Sequence, residues 1–155
     1  MTRSFEPDAT DRAILRLIQR DAALSLADIA KDVGLTPTPC WKRIRRLERN
    51  GVITGRVALL DPAKVGLPVS VFVAVETADH SGPWLERFAA TVSAMPEVME
   101  VWRMSGDVDY LLRVVVPDIA AYDAFYRRLI ASVPLRNVTS RFAMERVKAA
   151  TALPI

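Results

Sequence analysis

One cysteine, Cys40, and one histidine, His80, are all that this 155-residue chain holds of its most reactive side-chain types. A lone cysteine excludes an intrachain disulfide and any multi-cysteine metal site. Cys40 and His80 lie far apart in sequence, so a thiolate–imidazole pair is only formal. His80, beside Ser81-Gly82-Pro83, reads as a loop residue. No H-x-x-x-H pair, Gly-rich phosphate loop or nucleophile elbow occurs. No catalytic and no metal-ligating residue is assigned, and an enzyme is not expected. Also missing is any run of about eighteen apolar residues, the length a membrane helix requires. The opening MTRSFEPDATD lacks the apolar core of a signal peptide. The expectation is a soluble, cytoplasmic protein with no membrane partner.

What the chain does have is a globular balance, with 51% hydrophobic and 25% charged residues, which argues against disorder. Its cations are unevenly spread. Residues 1–64 carry 12 Lys/Arg against 8 Asp/Glu, whereas residues 65–155 carry 9 against 10. A basic first part joined to a near-neutral remainder suggests a nucleic-acid module attached to something else.

The basic excess concentrates in Leu24–Val52, LSLADIAKDVGLTPTPCWKRIRRLERNGV. Ser25, with Asp28 three residues on, caps a short helix in a variant of the capping box. Leu26, Ile29, Ala30 and Val33 follow at helical spacing and stop at Gly34, a residue free to take the positive φ of a sharp turn. With Thr36 or Thr38 as cap, Pro37 and Pro39 fall in the first turn of a second helix, where N–H groups have no intrahelical partner anyway. On this second helix Cys40, Ile44 and Leu47 form an apolar stripe. Thr38, Lys42, Arg46 and Arg49 lie opposite, with Arg45 at the edge. Such a face is either a solvated charged surface or a recognition helix whose early residues reach base edges and whose later arginines hold phosphates. The tight Gly turn, the Pro-tolerant start and the one-sided excess favour the second. DNA contacts are therefore expected from Thr36, Thr38, Trp41, Lys42, Arg43, Arg45, Arg46 and Arg49. Trp41 flanks the buried stripe and either packs on the first helix or offers its indole to the DNA backbone.

Upstream, residues 1–9 read as frayed, and Thr10 caps a helix with Ile14, Leu15, Leu17 and Ile18 on its apolar side. Downstream, Val52-Ile53 and Val57–Leu60 are short strand-like runs, and Asp61-Pro62 and Gly66-Leu67-Pro68 punctuate a linker. From Val69 the pattern changes. VSVFVAVET is a strand, Pro83–Met95 a helix, Val98–Met104 and Tyr110–Val116 strands, Asp118 caps a second helix, and Val138–Val147 is a last strand. This βαββαβ order is a split βαβ of ferredoxin-like type. Two helices would cover one sheet face, leaving the other, with Val71, Val73 and Val101, to be hidden by a partner. The domains are expected at 8–54, 55–67 (hinge strand and linker) and 68–150. The fold class is α+β, a three-helix unit followed by the ferredoxin-like domain. A homodimer through that domain would carry two recognition helices to a two-fold related site in double-stranded DNA.

Ser105-Gly106-Asp107-Val108-Asp109-Tyr110 is the other unusual stretch. Gly and Asp are what a tight turn demands. They also suit a small-molecule site, in which a carboxylate takes an ammonium group and free turn N–H groups take a carboxylate.

LTPTPCWKRIRRLERNGVI resembles the helix-turn-helix of the Lrp/AsnC family of bacterial feast/famine transcription regulators, and the likeness runs on through GDVDY to nearly the whole chain. The resemblance implies a winged helix-turn-helix, with the runs around Gly55 as wing and hinge strand. It also implies an amino-acid effector bound where dimers meet, dimers assembling to tetramers or octamers, and no cofactor. Gly106, Asp107, Asp109 and Tyr110 match the family's effector loop, and Thr139 and Ser140 occupy a stretch where hydroxyl contacts are often added. Many relatives have an aliphatic residue where Trp41 stands. TPTPCWKRIRRLE, VALLDPAKVGL, EVWRMSGDVDYLLRV and FAME are most similar to the branch that responds to cysteine and controls its desulfuration. Cysteine is thus the first candidate effector, with leucine or another apolar amino acid next. The alternatives are an architectural DNA-binding protein without effector and a small metabolite-binding module or enzyme.

Overall fold

A computed structural model of the chain describes residues 5–155. It forms two units: residues up to Ala58 together with Val147–Ile155, and Leu59–Arg146.

The first unit is built on three helices, α1 (Ala9–Ile18), α2 (Leu26–Asp32) and α3 (Pro37–Arg49). Asp8, not Thr10, caps α1. Its carboxylate accepts from the Asp11 N–H at 2.8 Å while Asp11 accepts from the Asp8 N–H at 3.1 Å. That reciprocal box satisfies two orphan donors, which outweighs anything Thr10 could offer from inside the first turn. Of the stretch expected to fray, residues 1–4 lie outside the described residues. Phe5 packs against the three-helix core, and Asp8 is fixed by its cap. Ser25 caps α2 as expected, and Gly34 makes the turn at φ +69°. Ile14, Leu15, Ile18, Ile29, Ala30, Cys40, Ile44 and Leu47 form the core. The runs 52–53 and 57–60, expected as strands, form no ladder. Val57, Leu59 and Leu60 are exposed, and an isolated strand without a neighbour has nothing to bond. Residues 153–155 return to α1, where Gln19 exchanges hydrogen bonds with the Leu153 backbone at 2.8 and 2.9 Å.

The second unit contains β1 (Val69–Glu76), α4 (Gly82–Ser93), β2 (Val98–Arg103), β3 (Tyr110–Val116), α5 (Ile119–Ser132) and β4 (Asn137–Phe142). The four strands form an antiparallel sheet in the order β2-β3-β1-β4, the ferredoxin-like arrangement. Ser81 and Asp118 cap α4 and α5 through their side chains. Both helices pack on one face, where Trp84, Phe88, Val92, Tyr122, Phe125 and Leu129 meet the strands. Val71 and Val73, expected on the uncovered face, are fully buried beneath these helices, and Val101 registers with the core residue Leu112 on the same side. β1 is apolar on both faces, so its alternation could not say which face the helices take. The opposite face carries Phe72, Ala74, Trp102, Leu111, Arg113 and Val115 instead, with Ala74 and Val115 buried and Phe72 and Trp102 exposed. β4 ends five residues short of the expected Val147. Phe142 pairs with Val71, Ala143 still donates to Ser70, and β1 supplies no backbone beyond Val69.

Candidate nucleic-acid interface and ligand loop

α3 divides its residues among three directions. Cys40, Ile44 and Leu47 enter the core, as the apolar spacing predicts. Burial raises the Cys40 thiol above its ordinary pKa, so it stays neutral and serves as a packing group. Thr36, Thr38, Trp41, Lys42, Arg45 and Arg49 are exposed. Thr36 occupies the cap position without a side-chain cap bond, Pro37 and Pro39 sit in the first turn, and Thr36 and Thr38 are both exposed.

Trp41 is 49% exposed, with the Arg45 guanidinium over its ring at 5.7 Å from the centroid. The indole lines a hollow of about 190 Å³ whose other walls include Ile18, Leu24, Leu26 and Ile29. It therefore neither buries against α1 nor stands free. Arg45 pairs with Glu48 at 3.0 Å, and Glu48 also takes Arg56 at 3.2 Å.

Arg43 and Arg46 turn a third way, toward α1. Arg43 Nη1 donates to Asp8 at 2.6 Å and to Asp11 at 2.9 Å, and Arg46 Nη2 donates to Asp11 at 2.6 Å. The helical wheel puts Arg46 on the stripe opposite the core, and the structure corrects that. A wheel gives an angle about α3 alone and carries nothing about carboxylates arriving from another helix. Asp11, the partner missed in the sequence, is the one charged side chain among the buried residues described. Its only signal was an acid in the first turn of an amphipathic helix.

In the second unit the loop 104–109 joins β2 to β3, with Gly106 at φ +112°. Its two carboxylates differ in role. Asp109 accepts from the Thr77 N–H at 2.8 Å, and its backbone bonds Val75 and Met104, so it ties the loop to the end of β1. Asp107 is exposed. His80 Nδ1 lies 3.9 Å from Asp109, and Asp79, its carboxyl lowered by the Ser81 N–H, shapes the adjoining turn. Thr77, His80 and Asp79 were not among the expected site residues. Tyr110 leaves the loop altogether: its ring packs in the helix-side core, 4.7 Å from Phe88. Thr139 and Ser140 separate to opposite faces of β4. Thr139 registers with Ala74 on the uncovered side, and Ser140 hydrogen-bonds the Tyr122 hydroxyl beneath the helices. The exposed chemistry of this region is thus Gly106, Asp107 and His80, with Asp109 partly buried.

Residues 7–54 match the winged helix-turn-helix DNA-binding family, and residues 70–153 match the Lrp/AsnC ligand binding domain. The chain is similar to the DNA-binding transcriptional activator DecR of Escherichia coli (strain K12), at 54% identity over 96% of this chain and 98% of that protein. Among solved structures it is similar to an AsnC family transcriptional regulator from Agrobacterium tumefaciens, with a TM-score of 0.91 and 62% identity over 95% of this chain and 96% of that one. It is also similar to the L-Met complex of the transcriptional regulator NMB0573 from Neisseria meningitidis, with a TM-score of 0.88 and 32% identity over 95% and 96% of the two chains.

Proposed function

Because the chain belongs to the Lrp/AsnC family of DNA-binding transcription regulators, we propose that it reads one operator with the exposed side of α3 and adjusts its grip on that operator to an amino acid held near Asp107. The observation that carries this reading is the division of α3, which buries Cys40, Ile44 and Leu47 and leaves Thr36, Thr38, Lys42, Arg45 and Arg49 outward. A helix packed on one side and cationic on the other fits a major groove, with its N-terminal hydroxyls toward base edges and its later cations toward phosphates. Trp41 and Arg45 form one unit there, the indole supporting the guanidinium.

The ligand is an amino acid. Gly106 and Asp107 supply a turn and an exposed carboxylate of the kind that holds an ammonium group. Asp109 and Thr77 keep the loop rigid. Cysteine is the first candidate, from the likeness of several segments to the cysteine-responsive branch. The L-methionine bound by the Neisseria meningitidis relative is a second sulfur-bearing amino acid. The working form is a homodimer joined through the uncovered sheet face, acting in the cytoplasm, and able to build tetramers or octamers.

Isothermal titration of the twenty amino acids, followed by anisotropy with a duplex selected from a randomised pool, tests this. Expected are one or a few binding amino acids, a shift in operator affinity of about 5- to 150-fold at saturation, and loss of that shift in Asp107→Ala with operator binding intact. A response that survives Asp107→Ala moves the ligand site elsewhere. Operator binding unchanged by Lys42→Ala and Arg45→Ala removes α3 from the interface. Affinity that responds to no amino acid at all favours the architectural reading.

A further inference from the structure

Arg43, Arg46, Asp8 and Asp11 form a closed cluster of two guanidinium groups and two carboxylates between α1 and α3. Asp11 is wholly removed from water. A buried carboxylate is tolerated only with partner cations and hydrogen bonds, and these two arginines donate to it at 2.9 and 2.6 Å. Arg46 is held from three sides, by Asp11, by Asp8 at 3.8 Å and by the Phe5 ring at 5.1 Å from its centroid. Its Nε is buried as well, so the inner edge of the guanidinium is held in the α1–α3 seam while the side chain as a whole stays 42% exposed. Moving either arginine to a phosphate would strip a buried carboxylate of a partner.

From this we infer that Asp11, assisted by Asp8, is the positioning residue of the DNA-reading helix. It fixes α3 against α1 and withholds Arg43 and Arg46 from phosphate neutralisation, leaving Lys42, Arg45 and Arg49 as the α3 cations that meet the duplex. The inference rests on the proposal that α3 faces DNA. Its consequence is a gain in discrimination. Each cation given to phosphates strengthens binding to every sequence alike, so locking two of them inside the fold lowers non-specific binding without touching the residues that read bases.

The slope of log K against log salt counts the phosphates engaged, at about 0.9 for each, and a merely structural role does not alter that count. The experiment measures this slope, on the selected operator and on random duplex, for the full-length protein and for Asp11→Asn, Asp8→Asn, Arg46→Gln, Arg43→Gln and Arg45→Ala. Thermal unfolding is followed in parallel, so that each variant is assayed while folded. Arg45→Ala is expected to lower the slope by about 0.9 for each phosphate that it leaves without a cation. Arg46→Gln and Arg43→Gln should leave it unchanged. Asp11→Asn frees the arginines, so the slope should steepen, with random-duplex affinity rising and the operator-to-random ratio falling. Asp8→Asn, at a half-exposed position, should change both in the same direction by less; together with the arginine variants it decides the matter if Asp11→Asn does not fold. A slope lowered by Arg46→Gln as much as by Arg45→Ala overturns the clamp, as does an unchanged or flatter slope in the aspartate variants. If Arg45→Ala moves nothing either, α3 is not on the DNA, and the functional reading fails first and takes the clamp with it.

Discussion

Asp8 caps α1 through the Asp11 N–H and also accepts from Arg43. The Arg43 guanidinium, and after it the backbone bond, hold its carboxyl below the usual carboxylate range. A folded-state pKa lower than the unfolded one gives stability that is present above the unfolded value and lost as pH falls through the depressed value. The window therefore opens near pH 4 and extends downward. Asp8→Asn separates the two roles, since asparagine caps a helix about as well as aspartate but carries no charge. The expected result is a small difference at pH 6, at most about 1 kcal/mol for a half-exposed pair. Between pH 6 and pH 3 the unmodified protein should lose more of its melting temperature than the variant. Parallel losses in scanning calorimetry would mean that the carboxylate charge contributes nothing.

Among the elements, the starts of α2 and α3 are unequal. Ser25 accepts from the Asp28 N–H at 3.1 Å and donates to its carboxylate at 2.6 Å, whereas Thr36 at the start of α3 makes no cap bond. Ser25→Ala should cost about 1 kcal/mol, and Thr36→Ala close to nothing, as urea unfolding would measure. Any loss of operator affinity in Thr36→Ala then reports a missing bond from the hydroxyl to DNA, not a loosened helix. Most element types and their order could be read from the sequence because the signals are local: Ser25, Gly34, Asp118, the βαββαβ alternation and the stripe of Cys40, Ile44 and Leu47. Harder to read was whatever depended on a second element. The facing of β1 was hidden because Ala74 is buried on one side as Val73 is on the other. The end of β4 is set by where β1 begins. Asp109 looked like an exposed ligand group until the Thr77 backbone came to meet it, and Tyr110, one residue later, points into the core. Arg46 looked free because Asp11, its partner, belongs to a helix 35 positions earlier in the chain.

At the scale of the whole molecule, the sheet face opposite the helices leaves large aromatic side chains exposed. Register places Trp102 beside Leu111 and Leu111 beside Ala74, with Phe72 and Arg113 in the next row, and Phe72 and Trp102 remain 39% and 59% exposed. Arg113 is neutralised on that surface by Glu100, whose carboxyl is lowered by the Trp102 indole N–H and by the arginine itself. Aromatic side chains around an internally satisfied ion pair make a surface that a second copy could cover without stranding a charge. A charge placed at its centre should therefore prevent assembly and leave each protomer folded. In Trp102→Glu and Phe72→Glu, sedimentation velocity should show monomers, whereas the unmodified protein is expected to sediment as a dimer or larger, with circular dichroism unchanged. Two recognition helices joined in one particle bind paired half-sites at high effective concentration. The monomer should accordingly lose about 100-fold or more in affinity for a two-half-site operator and far less for a single half-site. A Trp102→Glu protein that still sediments as a dimer at micromolar concentration would place the subunit contact on another surface. One that is monomeric yet binds the paired operator undiminished would mean that a single α3 supplies all of the recognition.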